Sequence, residues 1–172
     1  MSVKTILTEP NNLLRQVSEP VESVGDSEKQ LMDDMLDTMY AANGIGLAAI
    51  QIGVPKRIIV MDISKEDKKK EPRYFVNPVI IKKDSLEATY EEGCLSVPNQ
   101  FAEINRPSKC EVEYLDYNGE KKILNAEGIL ATCIQHEMDH LEGILFIDYL
   151  SKLKKSMIIK KLSKSKSERI VV

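Results

Sequence analysis

The spacing of hydrophobic residues predicts an amphipathic helix near the start of the chain, over residues 26–42. An early Asp or Ser is available to cap its first turn, and Asn43 and Gly44 follow as stop signals. The apolar positions that share one face of this helix are Leu31, Met35, Leu36 and Met39. We therefore expect this face to pack against the rest of the protein.

Two more helices are predicted in the second half of the chain. One covers residues 126–141 and ends at Gly143, because glycine readily adopts the left-handed backbone that closes a helix. The other covers residues 148–165. Its apolar residues at helical spacing are Leu153, Met157, Ile158 and Leu162.

Shorter runs rich in β-branched and aromatic residues predict strands between these helices. They cover residues 57–63, 74–82, 86–90, 109–117 and 121–124. Asn118 and Gly119 form a strong hairpin signal between the last two runs, and the charged segment 65–71 is predicted to be a loop. Because the strands do not alternate with helices, we predict an α+β fold. Antiparallel or mixed sheets would surround the second helix, with the other helices towards the two ends of the chain.

Length and composition narrow the class of protein. The chain has 172 residues, of which 42% are hydrophobic and 30% are charged, which excludes collagen-like, low-complexity and wholly disordered chains. No apolar run approaches the roughly 18 residues of a membrane helix, and the first residues lack the features of a secretory signal. We therefore expect a cytoplasmic protein without a membrane partner, and we also expect a monomer.

Charge is distributed unevenly along the chain. Residues 151–172 carry eight basic residues and one acidic residue, a net charge of +7, whereas the first 150 residues carry −10. We therefore predict one domain over residues 1–150 and, as part of it, a basic helical tail over residues 151–172. A charge run of this kind is most often a solvated helix face.

The three cysteines, Cys94, Cys110 and Cys133, do not indicate a disulfide framework. Their number is odd, and nothing in the sequence points to an oxidising compartment. Each is by default a small buried residue, with metal binding or catalysis as the alternatives.

The only two histidines of the chain, His136 and His140, lie four residues apart in the second predicted helix. At that spacing both rings are on one face of the helix, where they can reach one metal ion. With Glu137 they form an HExxH motif, in which two histidines bind a metal and the glutamate acts as a general base. The alternative is a pair of ordinary histidines on a helix surface.

A catalytic metal site needs a third protein ligand and an open position. The third ligands of two metallopeptidase classes are missing, since Phe146 and Lys160 occupy those positions. Cys133 is on the helix itself but is seven residues from His140, about 10 Å along the axis, which is too far for a shared ion. The ligand should come from another segment, and Cys94 is a candidate. An HExxH metallopeptidase and a non-catalytic zinc or RNA-binding module remain the alternatives.

Three motifs together resemble the signature motifs of the peptide deformylase family. They are residues 44–51 (GIGLAAIQ), 92–96 (EGCLS) and 135–140 (QHEMDH), in the order and spacing of that family. The resemblance covers nearly all of residues 5–150, and it implies that residues 145–150 form a strand after the metal-binding helix. It also implies metal-dependent hydrolysis of the N-formyl group from the formyl-methionine of newly synthesised proteins, with release of formate.

The resemblance also implies a set of site residues. Cys94, His136 and His140 would bind one divalent metal ion, Fe²⁺ in the cell, with Zn²⁺ or Ni²⁺ found in preparations. Glu137 would accept and return the proton of the attacking water. The side-chain amide of Gln51 and the backbone N–H of Leu95 would donate to the developing oxyanion.

For the substrate, the resemblance implies a peptide bound as an added strand and an apolar pocket for the methionine side chain. The positions that match the family's peptide-binding and pocket residues are Ile45, Gly46, Tyr90, Glu92, Gly93, Ile129, Thr132 and Cys133. Cys110 is expected to pack within a strand. The basic tail would contact the ribosome through RNA phosphates, since a C-terminal helix can dock there in the family.

Metal-bound histidines usually donate their second ring N–H to a carboxylate or carbonyl. Three acidic residues near the motif are candidates, Asp139, Glu142 and Asp148, and the sequence does not choose among them. We also expect an ion pair between Arg106 and Glu92.

Overall fold

A computed structural model of the protein describes residues 2–171, with the side chains of residues 2–164, and confirms the α+β class. The α-helices are α1 (Asp26–Ala41), α2 (Gly128–Leu141) and α3 (Lys152–Val171). The strands are β1 (Gly46–Ala48), β2 (Ile58–Met61), β3 (Arg73–Lys83), β4 (Glu87–Cys94), β5 (Val97–Pro107), β6 (Lys109–Leu115) and β7 (Lys121–Glu127). Short 3₁₀ helices span Asn12–Arg15, Ala49–Ile52 and Phe146–Tyr149.

The strands form two antiparallel sheets. The larger sheet has the order β1-β2-β3-β6-β7, which places β1 at one edge, and β4 and β5 form a separate two-stranded sheet. The predicted hairpin is confirmed, because Gly119 has a φ of 80° in the turn between β6 and β7. Within the described residues, β1 and β4 are therefore each hydrogen-bonded to one neighbouring strand only.

Helix α1 packs its apolar face against β1 and β2. Met32, Met35 and Met39 are completely buried, whereas Leu31 and Leu36 lie at the edges of this face and are partly buried. The predicted Asp or Ser cap was wrong. The N-cap is Gly25, whose N–H donates to the Glu28 carboxylate at 3.0 Å, as in one half of a capping box.

Helix α2 lies at the centre of the molecule and contacts strands of both sheets. Its predicted end is confirmed, since Gly143 has a φ of 73° and its N–H donates to the His140 carbonyl. A side chain at this position would also meet the carbonyl of Arg15. The start of the helix is two residues later than predicted.

The region after α2 differs from the prediction. Residues 145–150 do not form a strand, since Phe146–Tyr149 is a 3₁₀ helix, and α3 begins at Lys152 rather than at residue 148. A short apolar run fits either conformation, and here the chain must turn sharply to bring α3 onto the core. Ile158 and Leu162 of α3 pack beside Phe146, while Leu153 and Met157 are exposed. No helix in the described residues is long and apolar enough to span a membrane.

Candidate metal centre and active site

The structure brings Cys94, His136 and His140 together. The histidines extend from one face of α2, and Cys94 is the last residue of β4, where the hairpin to β5 turns. One ligand atom from each residue lies within 4.8 Å of the other two, and Cys94 Sγ is 3.3 Å from His140 Nε2. One sulfur and two nitrogens at these distances form a donor set that suits Fe²⁺ or Zn²⁺.

Glu92 and Arg106 hold the ring of His136 in place. His136 Nδ1 donates to Glu92 Oε1 at 2.9 Å, which leaves Nε2 available as a ligand. The expected ion pair is present, since Arg106 Nε and Nη2 lie 2.7 and 2.9 Å from the two oxygens of Glu92. Two of the three candidate carboxylates pair elsewhere, Glu142 with Arg57 and Asp148 with Arg15, and Asp139 pairs with Arg106 rather than with His136.

Burial and hydrogen bonding shift the pKa values of the ionisable groups in this cluster in different directions. Burial opposes the charged form of Glu92, but hydrogen bonds from His136 and Arg106 outweigh it and lower the pKa of Glu92. Burial likewise acts to lower the pKa of His136, yet hydrogen bonds to Cys94 and Glu92 raise it. Burial and the neighbouring His136 lower the pKa of His140, so that its ring stays neutral with a lone pair to donate.

Glu137 lies beside the ligands and against β1. Its side chain is buried, and burial raises its pKa to about 7. Its Oε2 has no hydrogen-bond partner among the described residues, and its Oε1 is 3.9 Å from His136 Nε2. A Cβ added at Gly46 would lie 2.7 Å from Glu137 Oε1, so only glycine lets the β1 backbone approach this closely. A buried carboxyl titrating near neutrality is suited to accept and return a proton.

The side-chain amide of Gln51 is fixed in orientation. The backbone N–H of Ala48 donates to Gln51 Oε1 at 2.9 Å, which turns the Nε2 group towards Cys94. Nε2 donates to Ser96 Oγ at 3.0 Å and approaches Cys94 Sγ at 3.5 Å. Ser96 is fully buried, and its contact with Gln51 was not predicted from the sequence.

A cavity of about 460 Å³ opens between β1 and β4, and Cys94, His136 and Glu137 are among the residues that line it. Seven of the eight predicted substrate-binding residues line it: Ile45, Gly46, Glu92, Gly93, Ile129, Thr132 and Cys133. The side chains of Ile45 and Ile129 are about half exposed at its rim. Tyr90 does not belong to the lining, because its side chain points towards the start of α2, where its hydroxyl approaches Gly128.

The sequence analysis missed one wall of this cavity, which β5 provides. Gly93 of β4 pairs with Phe101, and Cys94 pairs with Val97, so three residues, 98–100, bulge out of β5. Asn99 in this bulge has a φ of 61°. The Phe101 ring lies over Gly93, where an added Cβ would be 2.6 Å from it. The three bulged residues before Phe101, Pro98, Asn99 and Gln100, carry no strand periodicity that could have indicated this arrangement.

Comparison with known proteins agrees with this geometry. The family model described as polypeptide deformylase matches residues 3–156. The peptide deformylase of Pelagibacter ubique is 80% identical over the full length of both chains, and that of Phenylobacterium zucineum is 59% identical over 95% of this chain and 97% of the relative.

A solved structure gives the same result at the level of the fold. The crystal structure of peptide deformylase from Ehrlichia chaffeensis superposes with a TM-score of 0.94 and 44% identity, covering 98% of this chain and 99% of that chain. This chain is therefore a member of the polypeptide deformylase family.

Proposed function

We propose that this deformylase, a metal-dependent hydrolase, removes the formyl group from the N-terminal formyl-methionine of newly synthesised proteins in the cytoplasm and releases formate. The observation that supports this most strongly is that two residues of the Cys94, His136 and His140 cluster, together with Glu137, line one cavity. The family does not favour the alternative of a peptidase that cuts internal bonds.

Cys94, His136 and His140 would hold the metal ion, for which we propose Fe²⁺ in the cell and Zn²⁺ or Ni²⁺ in preparations. The chemistry of the donors supports this choice, since a thiolate and two imidazoles suit these ions better than Mg²⁺ or Ca²⁺. When bound, such an ion lowers the pKa of a coordinated water and polarises a carbonyl oxygen.

Glu137 is the proposed general base and acid. Its carboxylate would accept a proton from the attacking water, and its carboxyl form would then donate that proton to the departing amine nitrogen. The supporting observation is its burial next to the ligands with Oε2 unengaged by any described residue. A pKa of about 7 lets the group exist in both forms near neutral pH.

Gln51 and Leu95 are the proposed donors to the oxyanion. The hydrogen bond from Ala48 fixes the Gln51 amide before substrate arrives, so the donor does not have to be reoriented during the reaction. Leu95 follows Cys94 in the turn between β4 and β5, which keeps its backbone N–H close to the ligands. Donors of this kind contribute about 2.7–4 kcal/mol of transition-state stabilisation in comparable sites.

The peptide itself would bind as an added strand between the two sheets. β1 is at the edge of the larger sheet, β4 is one of only two strands in the smaller sheet, and residues of both line the cavity. Main-chain groups of Ile45, Gly46 and Gly93 would pair with the peptide. Ile129, Thr132 and Cys133, on the first turns of α2, would contact the methionine side chain.

The test compares three substrates: formyl-Met-Ala-Ser, acetyl-Met-Ala-Ser and casein. Protein purified without oxygen should carry one metal ion per chain and release formate from the formylated peptide only. Cys94→Ser should lose metal and activity, whereas Cys110→Ser, which alters a buried thiol of β6, should lose neither. Cleavage of casein, or full activity of Cys94→Ser, would contradict the proposal.

We also propose that the exposed lysines of α3 contact ribosomal RNA. Lys154 and Lys161 are exposed, whereas Ile158 and Leu162 anchor the helix to the core. Ribosome binding by the unaltered protein should fall steeply as salt rises. Replacing both lysines by glutamate keeps this packing, and it should weaken binding at low salt and make binding less dependent on salt. Unchanged binding would contradict the proposal, and sedimentation of the same samples checks the predicted monomer.

A further inference from the structure

A continuous series of hydrogen bonds runs from the protein surface to His136. It begins at Tyr149, the last residue of the 3₁₀ helix before α3, whose hydroxyl donates to Asp139 Oδ2 at 2.7 Å. The same oxygen accepts from Arg106 Nη1 at 2.8 Å. Partial burial and the Asp139 carboxylate raise the pKa of Tyr149 to about 12, so its hydroxyl remains a donor over the working range of pH.

Arg106 links this outer pair to the metal ligand. Its side chain is buried, with three donors directed at two carboxylates: Nε and Nη2 at Glu92 and Nη1 at Asp139. Its guanidinium also lies 4.9 Å from the ring centre of Tyr149. Because the guanidinium is planar and rigid, fixing Nη1 also fixes the direction of the two donors that face Glu92.

Glu92 passes this constraint on to His136. Its Oε1 accepts from both Arg106 Nη2 and His136 Nδ1, so a rotation of the guanidinium would move the acceptor on which the imidazole depends. The 3₁₀ helix contacts the same ring a second time, since Phe146 stacks on His136 at 6.2 Å with 26° between the planes. Phe146 and Tyr149 thus approach the metal ligand from one short segment.

We propose that Asp139 and Tyr149 are positioning residues of the metal centre, which act through Arg106 and Glu92 to hold the His136 ring in its ligating orientation. The proposal rests on the metal site described under the proposed function. It gives the 3₁₀ helix between α2 and α3 a role in metal retention, in addition to its role in the turn of the chain.

The test measures metal retention rather than turnover. Tyr149→Phe keeps the ring over Arg106 and removes only the hydroxyl, and Asp139→Asn keeps the size of the side chain. The matched control is Tyr117→Phe, which removes a tyrosine hydroxyl that donates to Asp33 at 3.2 Å in a part of the molecule that does not contact the metal ligands. Each protein is loaded with Co²⁺, and its visible spectrum and its rate of metal loss to EDTA are recorded.

We expect metal loss about threefold faster in Tyr149→Phe and about tenfold faster in Asp139→Asn, with an altered Co²⁺ spectrum in both. The control should match the unaltered protein in rate and spectrum. In the metal-free forms, the midpoint temperature of thermal unfolding should be lowered no more in Tyr149→Phe than in the control. This comparison separates positioning of the ligand from general destabilisation.

Rates and spectra of Tyr149→Phe that equal those of the control would overturn the proposal, whether or not Asp139→Asn folds. A failure of the metal site itself would give a different result, because the unaltered protein would then bind no Co²⁺. If Tyr149→Phe binds Co²⁺ as fast as the unaltered protein but releases it faster, the proposal is supported, since a misaligned ligand acts mainly on metal retention.

Discussion

Helices α1 and α2 are both packed against the larger sheet, but they bury different kinds of side chain. The completely buried side chains of α1 are Met32, Met35 and Met39, and its two buried polar side chains, Asp34 and Thr38, accept hydrogen bonds from backbone N–H groups at the start of the chain. The buried side chains of α2 include ionisable and polar groups in addition to apolar ones: Thr132, Cys133, Gln135, His136, Glu137 and His140. Both helices are similar in length, so the difference lies in what their buried faces do.

Burying methionines stabilises the fold, because apolar area leaves water and flexible thioethers fill the core. Burying a carboxyl such as Glu137 opposes folding unless its charge is compensated. The α2 face is therefore maintained by partners that come from elsewhere, above all Glu92 and Arg106. Helix α1 therefore contributes mainly to stability, whereas α2 loses part of that stability because it buries ionisable groups beside the cavity.

The largest expected effect comes from α2. Glu137→Gln should lower kcat by about a hundredfold to ten-thousandfold, because a general base is lost while the ligands remain. Formate release measures the effect, and metal analysis verifies that the ion is retained. Glu142→Gln, at the end of the same helix, changes a half-exposed carboxylate paired with Arg57 and should keep its activity. Normal turnover of Glu137→Gln would remove the distinction between the two helices.

The next effect comes from α1. Met35→Ala should lower the free energy of unfolding by about 2–5 kcal/mol, because it leaves a cavity in a fully buried position. Urea denaturation measures the loss, and the folded fraction should retain its kcat. Leu153→Ala, at a position 71% exposed, should change stability by less than about 0.5 kcal/mol. A loss of kcat with unchanged stability in Met35→Ala would mean that α1 supports catalysis and not stability.

The cost of burying Glu137 should be visible as a pH dependence in the metal-free protein. Its carboxyl has an ordinary pKa of 4.5 and a pKa of about 7 when folded, so folding favours the protonated form. Its contribution to stability is therefore complete below about pH 4.5 and is lost as the pH rises through 7. The loss amounts to about 3 kcal/mol.

Glu137→Gln stays neutral and should lack this loss. Metal-free Glu137→Gln should thus be as stable as the unaltered protein near pH 4.5 and more stable above about pH 7. Urea denaturation at both pH values measures the difference. A difference that shrinks as the pH rises would show that the carboxylate is stabilised in the folded state and does not oppose folding.

The smallest effect concerns the contact between α2 and the edge of the sheet. Gly46→Ala places a methyl group 2.7 Å from Glu137 Oε1, and the displaced carboxylate should lower kcat by about tenfold to a hundredfold. Steady-state kinetics measures it. Gly25→Ala is the control, because its added methyl group would only touch Glu28 at 3.4 Å. Equal kinetics for the two variants would mean that Glu137 tolerates displacement.

The sequence predicted the parts of the structure that depend on local signals. Helix α1 and the end of α2 followed from apolar spacing and from glycine, and the β6–β7 hairpin followed from Asn118 and Gly119. The convergence of Cys94 on the two histidines followed from three motifs in register. Each of these features is determined by a few neighbouring residues or by a motif that keeps its spacing.

The remaining features depend on contacts between distant segments. β5 contains two prolines and several polar residues, and it is a strand because it pairs with β4. The ion pair of Glu92 with Arg106 was expected, but the contact of Glu92 with His136, 44 residues away, was not. The 3₁₀ helix at Phe146–Tyr149 forms where the chain turns to bring α3 onto the core. None of these has a local signature.

The two strand edges on either side of the cavity affect the range of substrates that the enzyme accepts. Hydrogen bonds offered by β1 and β4 address amide groups, which every polypeptide presents in the same geometry. In the proposed binding mode, selection would be confined to the first side chain and its formyl cap, and the residues that follow would be admitted regardless of identity. One enzyme with this binding mode would then act on newly synthesised chains whatever sequence follows their first residue.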